Sequence, residues 1–377
     1  MKKIFAVFAS AILAAGVLSG CGSAGSAGVP AGAAQAAASG DRLQIVTTIF
    51  PEYDWVREIL GDRAANADVT LLLDNGADLH SYQPTADDIL KVSTCDLFIY
   101  VGGESDEWVE DALETAANGD MIVINLLETL GDRVKEEEIV EGMEAEHDHD
   151  HGDHDHDEDE DHDHDEDEDH DHDAEEEHDH DEDADHDHEE HDHEEEEEEM
   201  DEHVWLSLQN AEILCDAICG ALKQLDPAGA DAYQANADAY REKLAALDTQ
   251  YAEAVSAASV KTVLFGDRFP FRYLVDDYGL SYYAAFVGCS AETEASFETI
   301  VFLSGKVDEL GLPAVMTIEG PDHRIAETIR DNTAGKDQKI LTLDSLQATT
   351  SADGAKGTTY LSVMTQNLEV LKQALQK

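Results

Sequence analysis

Basic residues are scarce in this 377-residue chain, where 22 Lys and Arg face 87 Asp and Glu for a formal net charge of −65. Such a surface argues against nucleic acid and anionic lipid as partners and favours cations. Five cysteines are too few for a disulfide framework in a chain this long. After the first twenty residues no apolar run is long enough to cross a membrane. The metalloprotease signature H-E-x-x-H, the nucleophile elbow and the phosphate loop are all missing. No residue pattern therefore points to an enzyme. A metallohydrolase would need an open metal position and a base, and none stands beside the histidines considered below.

What the chain has in excess is histidine set among acids. Between Glu136 and Glu202 lie 43 acidic residues and no Lys or Arg. Fifteen of the 18 histidines fall in this run: His147, His149, His151, His154, His156, His162, His164, His170, His172, His178, His180, His186, His188, His191 and His193. A solvated acidic spacer needs only Glu and Asp. Imidazole is a preferred ligand of first-row transition metals, so His-Asp alternation points to weak metal sites in a disordered loop spanning residues 136–200.

The N-terminus sets the compartment. Lys2 and Lys3, the apolar stretch after them and Leu18-Ser19-Gly20-Cys21 read as a signal peptide over residues 1–20. The ending resembles the bacterial lipobox, which implies lipidation of Cys21 and a protein tethered outside the cell membrane. Residues 21–41 are rich in Gly, Ala and Ser and predict a flexible tether.

Beyond it, β-rich runs (LQIVTTIF, ADVTLLL, CDLFIYVG, MIVINLL) alternate with helical patterns, and the alternation resumes at KTVLFG, LSYYAAF, AVMTIEG and KILTLD. This predicts an α/β protein of two Rossmann-like lobes with parallel sheets. The N-terminal lobe would span residues 42–226, interrupted by the acidic loop, and the C-terminal lobe residues 259–377. Residues 227–258 between them carry helical spacing throughout and predict one linking helix of about 45 Å. Because the acidic run interrupts the first lobe, its ends should lie close together, at little extra cost in closure entropy. Cys215 and Cys219, four apart on an apolar helix, read as buried thiols rather than a disulfide or metal pair. Whether Cys95 and Cys289 meet is open.

Only His80, His203 and His323 lie outside the run. His80 follows a strand and precedes a helix, at the sheet edge where open α/β folds bind ligands. His203 stands just before an apolar helix, and His323 reads as a surface residue. At these positions TTIFPEYDWVREILGD, DLHSYQPTADDI, DLFIYVGGESDEWVEDAL, DEHVWLSLQNA, DYGL, IAETI and LDSL, in that order, resemble the zinc- and manganese-binding lipoproteins that serve as receptors of ABC importers. The resemblance runs from about Arg42 to the C-terminus, the acidic loop excepted. It implies a metal site between the lobes, with His80 and His203 as ligands of the first lobe and Asp344 as the carboxylate of the second. Where most relatives carry His or Glu after the first strand of the second lobe, this chain reads LFGDRFPFRYL. Asp267 is the nearest oxygen donor there, with helix capping as its alternative role, and Glu319 is the reserve.

The expectation is an extracytoplasmic, lipid-anchored, monomeric receptor that captures Zn2+ and hands it to a membrane permease. The loop would gather metal by effective concentration. Two imidazoles with one or two carboxylates suit Zn2+, and more oxygen would favour Mn2+. The alternative is a surface adhesin or metal buffer in which the loop is the working part.

Overall fold

The computed structural model describes residues 42–144, 199–290, 294–320 and 322–376. The signal peptide, Cys21, the tether and the fifteen loop histidines lie outside the described residues. The first lobe runs β1 (Leu43–Thr47), α1 (Phe50–Leu60), β2 (Ala67–Leu71), α2 (Ala86–Thr94), β3 (Leu97–Tyr100), α3 (Trp108–Glu114), β4 (Ile122–Asn125), α4 (Leu126–Leu130) and α5 (Leu208–Leu225). Next comes α6 (Ala230–Ala257). The second lobe follows as β5 (Thr262–Phe269), α7 (Arg272–Tyr278), β6 (Ser281–Val287), α8 (Phe297–Leu310), β7 (Ala314–Thr317), α9 (Arg324–Asn332), β8 (Lys339–Thr342), α10 (Ser351–Ala355) and α11 (Tyr360–Ala374). Every expected β-rich run forms a strand.

Each lobe holds one four-stranded sheet, in the orders β2-β1-β3-β4 and β6-β5-β7-β8, and all the strand pairs are parallel. A parallel sheet covered by helices must be apolar on both faces, and β3 and β7 accordingly bury nearly every residue and β1 its last three. In both sheets the chain crosses from one side of the first strand to the other. The C-terminal strand ends therefore open a crevice at each switch point.

One helix ties the lobes together. Along α6 the buried residues Tyr233, Ala237, Tyr240, Leu244, Leu247, Tyr251 and Val255 recur every three or four positions, so a single stripe faces inward. At its start the Asn236 amide donates to the Ile59 carbonyl at the end of α1, 2.9 Å away. Two turns from its other end the Tyr251 hydroxyl donates to the Met364 carbonyl of α11 at 2.6 Å. The helix thus bonds to both lobes. The apolar core beneath it is continuous from Ile45 of β1 to Leu375 after α11, and a smaller cluster sits between α8, α9 and the second sheet.

The limits expected for the acidic loop need correction, because residues 136–144 and 199–200 are placed against the body. Glu136 and Met200 pair antiparallel, with further backbone bonds from Glu137 to Glu199 and from Asp201 to Lys135, both at 2.8 Å. The two sides of the insertion therefore meet at its base. Its leading side continues onto the second lobe, where Glu144 bridges to Phe286 of β6 and Glu138 accepts from Tyr282 at 3.1 Å. Paired backbone and specific acceptors give these acids partners that an acidic spacer lacks.

Candidate metal centre

Strand ends deliver most of the site. After β2 the chain makes a short 3-10 turn, Leu79–Ser81, whose N-cap Asp78 accepts from the His80 backbone N–H at 3.1 Å and fixes where the imidazole points. His203 arrives from the other side of the insertion, capping the turn Val204–Leu206 ahead of α5, and it is fully buried. The two Nε2 atoms face each other at 3.2 Å. Two imidazoles bound to one tetrahedral zinc at about 2.0–2.1 Å would hold their nitrogens about 3.3 Å apart. The site is already close to that spacing.

Acids stand behind both rings. His203 Nδ1 is 3.1 Å from Asp201 Oδ1, while His80 Nδ1 is 2.8 Å from Ser105 Oγ and 3.4 Å from Glu202 Oε2. Carboxylates on the far ring nitrogen fix the tautomer that leaves Nε2 free for a metal. The Glu202 carboxylate is itself buried and accepts from the Ser105 N–H at 2.8 Å. Burial pushes its pKa up, but the hydrogen bonds from His80 and Ser105 outweigh burial and hold it below the usual glutamate value. Gly103, at φ +83°, is required here, since a Cβ would collide with that carboxylate.

The second lobe contributes the opposite wall. A cavity of about 780 Å³ is lined by His80, Asp78, Asp267, Arg268 and Glu319, among others. Asp267 sits at an irregularity near the end of β5. Its carboxylate accepts from the N–H of Arg268 at 2.9 Å and of Ile318 at 3.2 Å. It does not cap α7, whose N-cap is Phe271. Arg268 pairs with Asp78 at 2.5 Å, and burial, which alone would raise the Asp78 pKa, is outweighed by that guanidinium. Glu319, just past β7, accepts from both the N–H and the hydroxyl of Ser345 at 2.7 and 2.6 Å. Asp344, just past β8, is half-buried and accepts from the Leu346 N–H at 2.8 Å. Burial and the nearby Glu319 charge raise its pKa to about 6.

Among the described residues, one group of three potential ligands places its donor atoms all within 4.8 Å of one another: His80, His203 and Cys289. Asp267, Asp344 and Glu319 stand outside that group. Nothing in the sequence marks Cys289, which lies two residues past β6. Gly288 before it packs so closely on the His203 ring that a Cβ would stand 2.9 Å from Cε1. Gln347 was also missed: with its amide nitrogen toward the Asp78 carboxylate at 2.8 and 3.0 Å, its oxygen lies 3.1 Å from His203 Nε2. Cys95 and Cys289 are both free thiols, as are the buried Cys215 and Cys219. His323 is half-buried at the start of α9.

Comparison with known proteins bears on this geometry. Residues 45–374 match the family model of the periplasmic zinc-uptake complex component A, ZnuA. Over 341 residues the chain is 31% identical to the zinc-binding lipoprotein AdcA of Streptococcus pneumoniae, covering 88% of this chain and 56% of that relative. The chain thus spans about half the length of AdcA. It is 27% identical over 336 residues to the high-affinity zinc uptake system protein ZnuA of Bacillus subtilis, covering 89% and 88% of the two chains. The crystal structure of the Zn(II)-bound ZnuA-like domain of S. pneumoniae AdcA superposes with a TM-score of 0.61 at 27% identity, over 89% of this chain and all of that one.

Proposed function

Since the chain belongs to the family of the zinc-uptake complex component A, we propose that it is an extracytoplasmic zinc receptor of an ABC importer, a binding protein rather than an enzyme. The observation that carries this reading is the pair of imidazoles facing each other through Nε2 at 3.2 Å, each backed by an acid. The acids favour the tautomers that leave both Nε2 atoms free to bind a dication. His80 and His203 supply the nitrogen donors. Asp344 supplies the carboxylate of the second lobe, and Asp267 and Glu319 line the cavity as the other oxygen donors within the fold's reach. Nitrogen donors at the centre favour Zn2+ over Mn2+.

The finer points of delivery belong to the same proposal. Cys21 carries the lipid anchor, the chain acts as a monomer, and a membrane permease receives the ion. The fifteen loop histidines gather zinc weakly and raise its concentration near the cleft. The base pairing of Glu136 with Met200 supports this arrangement, since it roots the insertion beside the residues that lead into His203. The test is zinc uptake by cells that lack their own receptor and make this chain. Uptake is expected to return with the native chain and to stay absent with His203→Ala.

A further inference from the structure

We propose that Cys289 is a zinc ligand of the cleft, so that a thiolate joins the two imidazoles and the carboxylate in holding the ion. This rests on the receptor reading above and names a donor which that reading does not contain. Asp344 and Asp267 offer carboxylate oxygen from the second lobe, but the end of β5 is poorly placed to supply a strong donor. There, Asp267 already accepts from the backbone N–H groups of Arg268 and Ile318, and Arg268 brings a positive charge into the cavity to pair with Asp78. A cation at that strand end opposes a second one. The neighbouring strand offers the alternative. β6 pairs with β5 along its length, and Gly288 lets its trailing backbone lie against the His203 ring. Cys289 follows directly, and its sulfur lies within 4.8 Å of the donor nitrogens of both histidines.

The distances leave little to adjust. Zinc bonds of about 2.3 Å to sulfur and about 2.0–2.1 Å to nitrogen put the donors about 3.6 Å apart in a tetrahedron. A contraction of about 1.2 Å at most therefore forms the set. On binding, the thiol proton leaves to solvent and the thiolate bonds the metal. Glu137, whose carboxylate accepts from the Cys289 N–H at 3.1 Å, fixes the sulfur's backbone from the stem of the histidine-rich insertion. A sulfur donor selects zinc over manganese and magnesium, which prefer oxygen.

Cobalt(II) reports sulfur ligation directly, because a bound thiolate gives a near-ultraviolet charge-transfer band that imidazole and carboxylate do not. The full chain, with cobalt poised by a chelating buffer so that only a tight site fills, is expected to show this band saturating at one ion. Cys289→Ser should lose the band and bind zinc more weakly, by more than the roughly 10–100-fold typical of losing an outer partner. One equivalent of zinc should also block alkylation of Cys289 in the native chain, as mapped by mass spectrometry, so the proposal is testable even if the variant folds poorly. A tight site without the band, a band that survives Cys289→Ser, or alkylation indifferent to zinc would each overturn the thiolate and leave the receptor intact. Absence of any tight site for zinc or cobalt would overturn the receptor reading and this one with it.

Discussion

His80 and His203, 123 positions apart, bring their Nε2 atoms to 3.2 Å because the turn after β2 and the turn before α5 converge on one point. Neither imidazole is placed by its own element alone. Removing either leaves the other with an acid and no second nitrogen. His80→Ala and His203→Ala are each expected to abolish tight zinc binding while weak binding by the loop persists, as read by calorimetry. A tight site surviving in either variant would show that the pair does not ligate.

The acids behind the rings should matter less than the rings and more than surface charges. Asp201→Asn and Glu202→Gln are each expected to weaken zinc binding about 10–100-fold, the usual cost of losing an outer partner of a ligating histidine. Competition against a chelator of known affinity measures this. Unchanged affinity in both would mean that the imidazoles orient without them.

Asp267 does two things at once. Asp267→Ala removes the acceptor of two backbone N–H groups and is expected to cost about 1–3 kcal/mol of stability with or without zinc. As an oxygen donor it should lose zinc affinity as well. Denaturation with urea and zinc titration separate the two effects, and a loss of stability alone would pass the donor role to Asp344 or Glu319.

Away from the cleft, Asp54 provides a pH signature. It is buried and accepts from the Tyr360 N–H at 2.8 Å, and burial raises its pKa to about 6 from an ordinary value of 3.8. The folded state therefore binds its proton more readily than the unfolded chain does. The protonated form's advantage is complete below the ordinary value and is lost as pH rises through about 6. The zinc-free protein should thus gain thermal stability from this group as pH falls from 7 to 5. In Asp54→Asn that part of the dependence should flatten, and an identical slope in the variant would contradict the assignment.

The sequence made the two parallel sheets and α6 legible because each rests on local pattern: β-rich runs between turns, and an apolar stripe at helical spacing. His80 and His203 stood out as candidates for a related reason, since strand ends and helix starts are where α/β folds place ligands, and folding brings them together. Cys289 did not. Its role depends on β6 lying beside β5 and on Gly288 touching His203, contacts made by folding and invisible to spacing. The Arg268–Asp78 pair, 190 positions apart, was hidden in the same way. The stem of the acidic insertion was hidden by its composition, because Glu137, Glu138 and Glu144 look like the rest of the run until their backbone and side-chain partners are seen.

The loop and the cleft should release metal separately. Imidazoles of ordinary pKa near 6.5 protonate as pH falls toward 5 and give up their ions, whereas a preorganised pocket competes better with protons. Acid titration of the loaded protein should show many ions leaving first and one later.

The most direct test of the zinc site is a calorimetric titration with Zn2+ of the chain lacking residues 147–195, a deletion that keeps the Glu199 carbonyl and Met200 paired at the base of the insertion. One tight ion per chain, lost in His203→Ala, is the expected result. No tight site after the deletion would contradict it and make the loop, rather than the cleft between the lobes, the place where zinc is held.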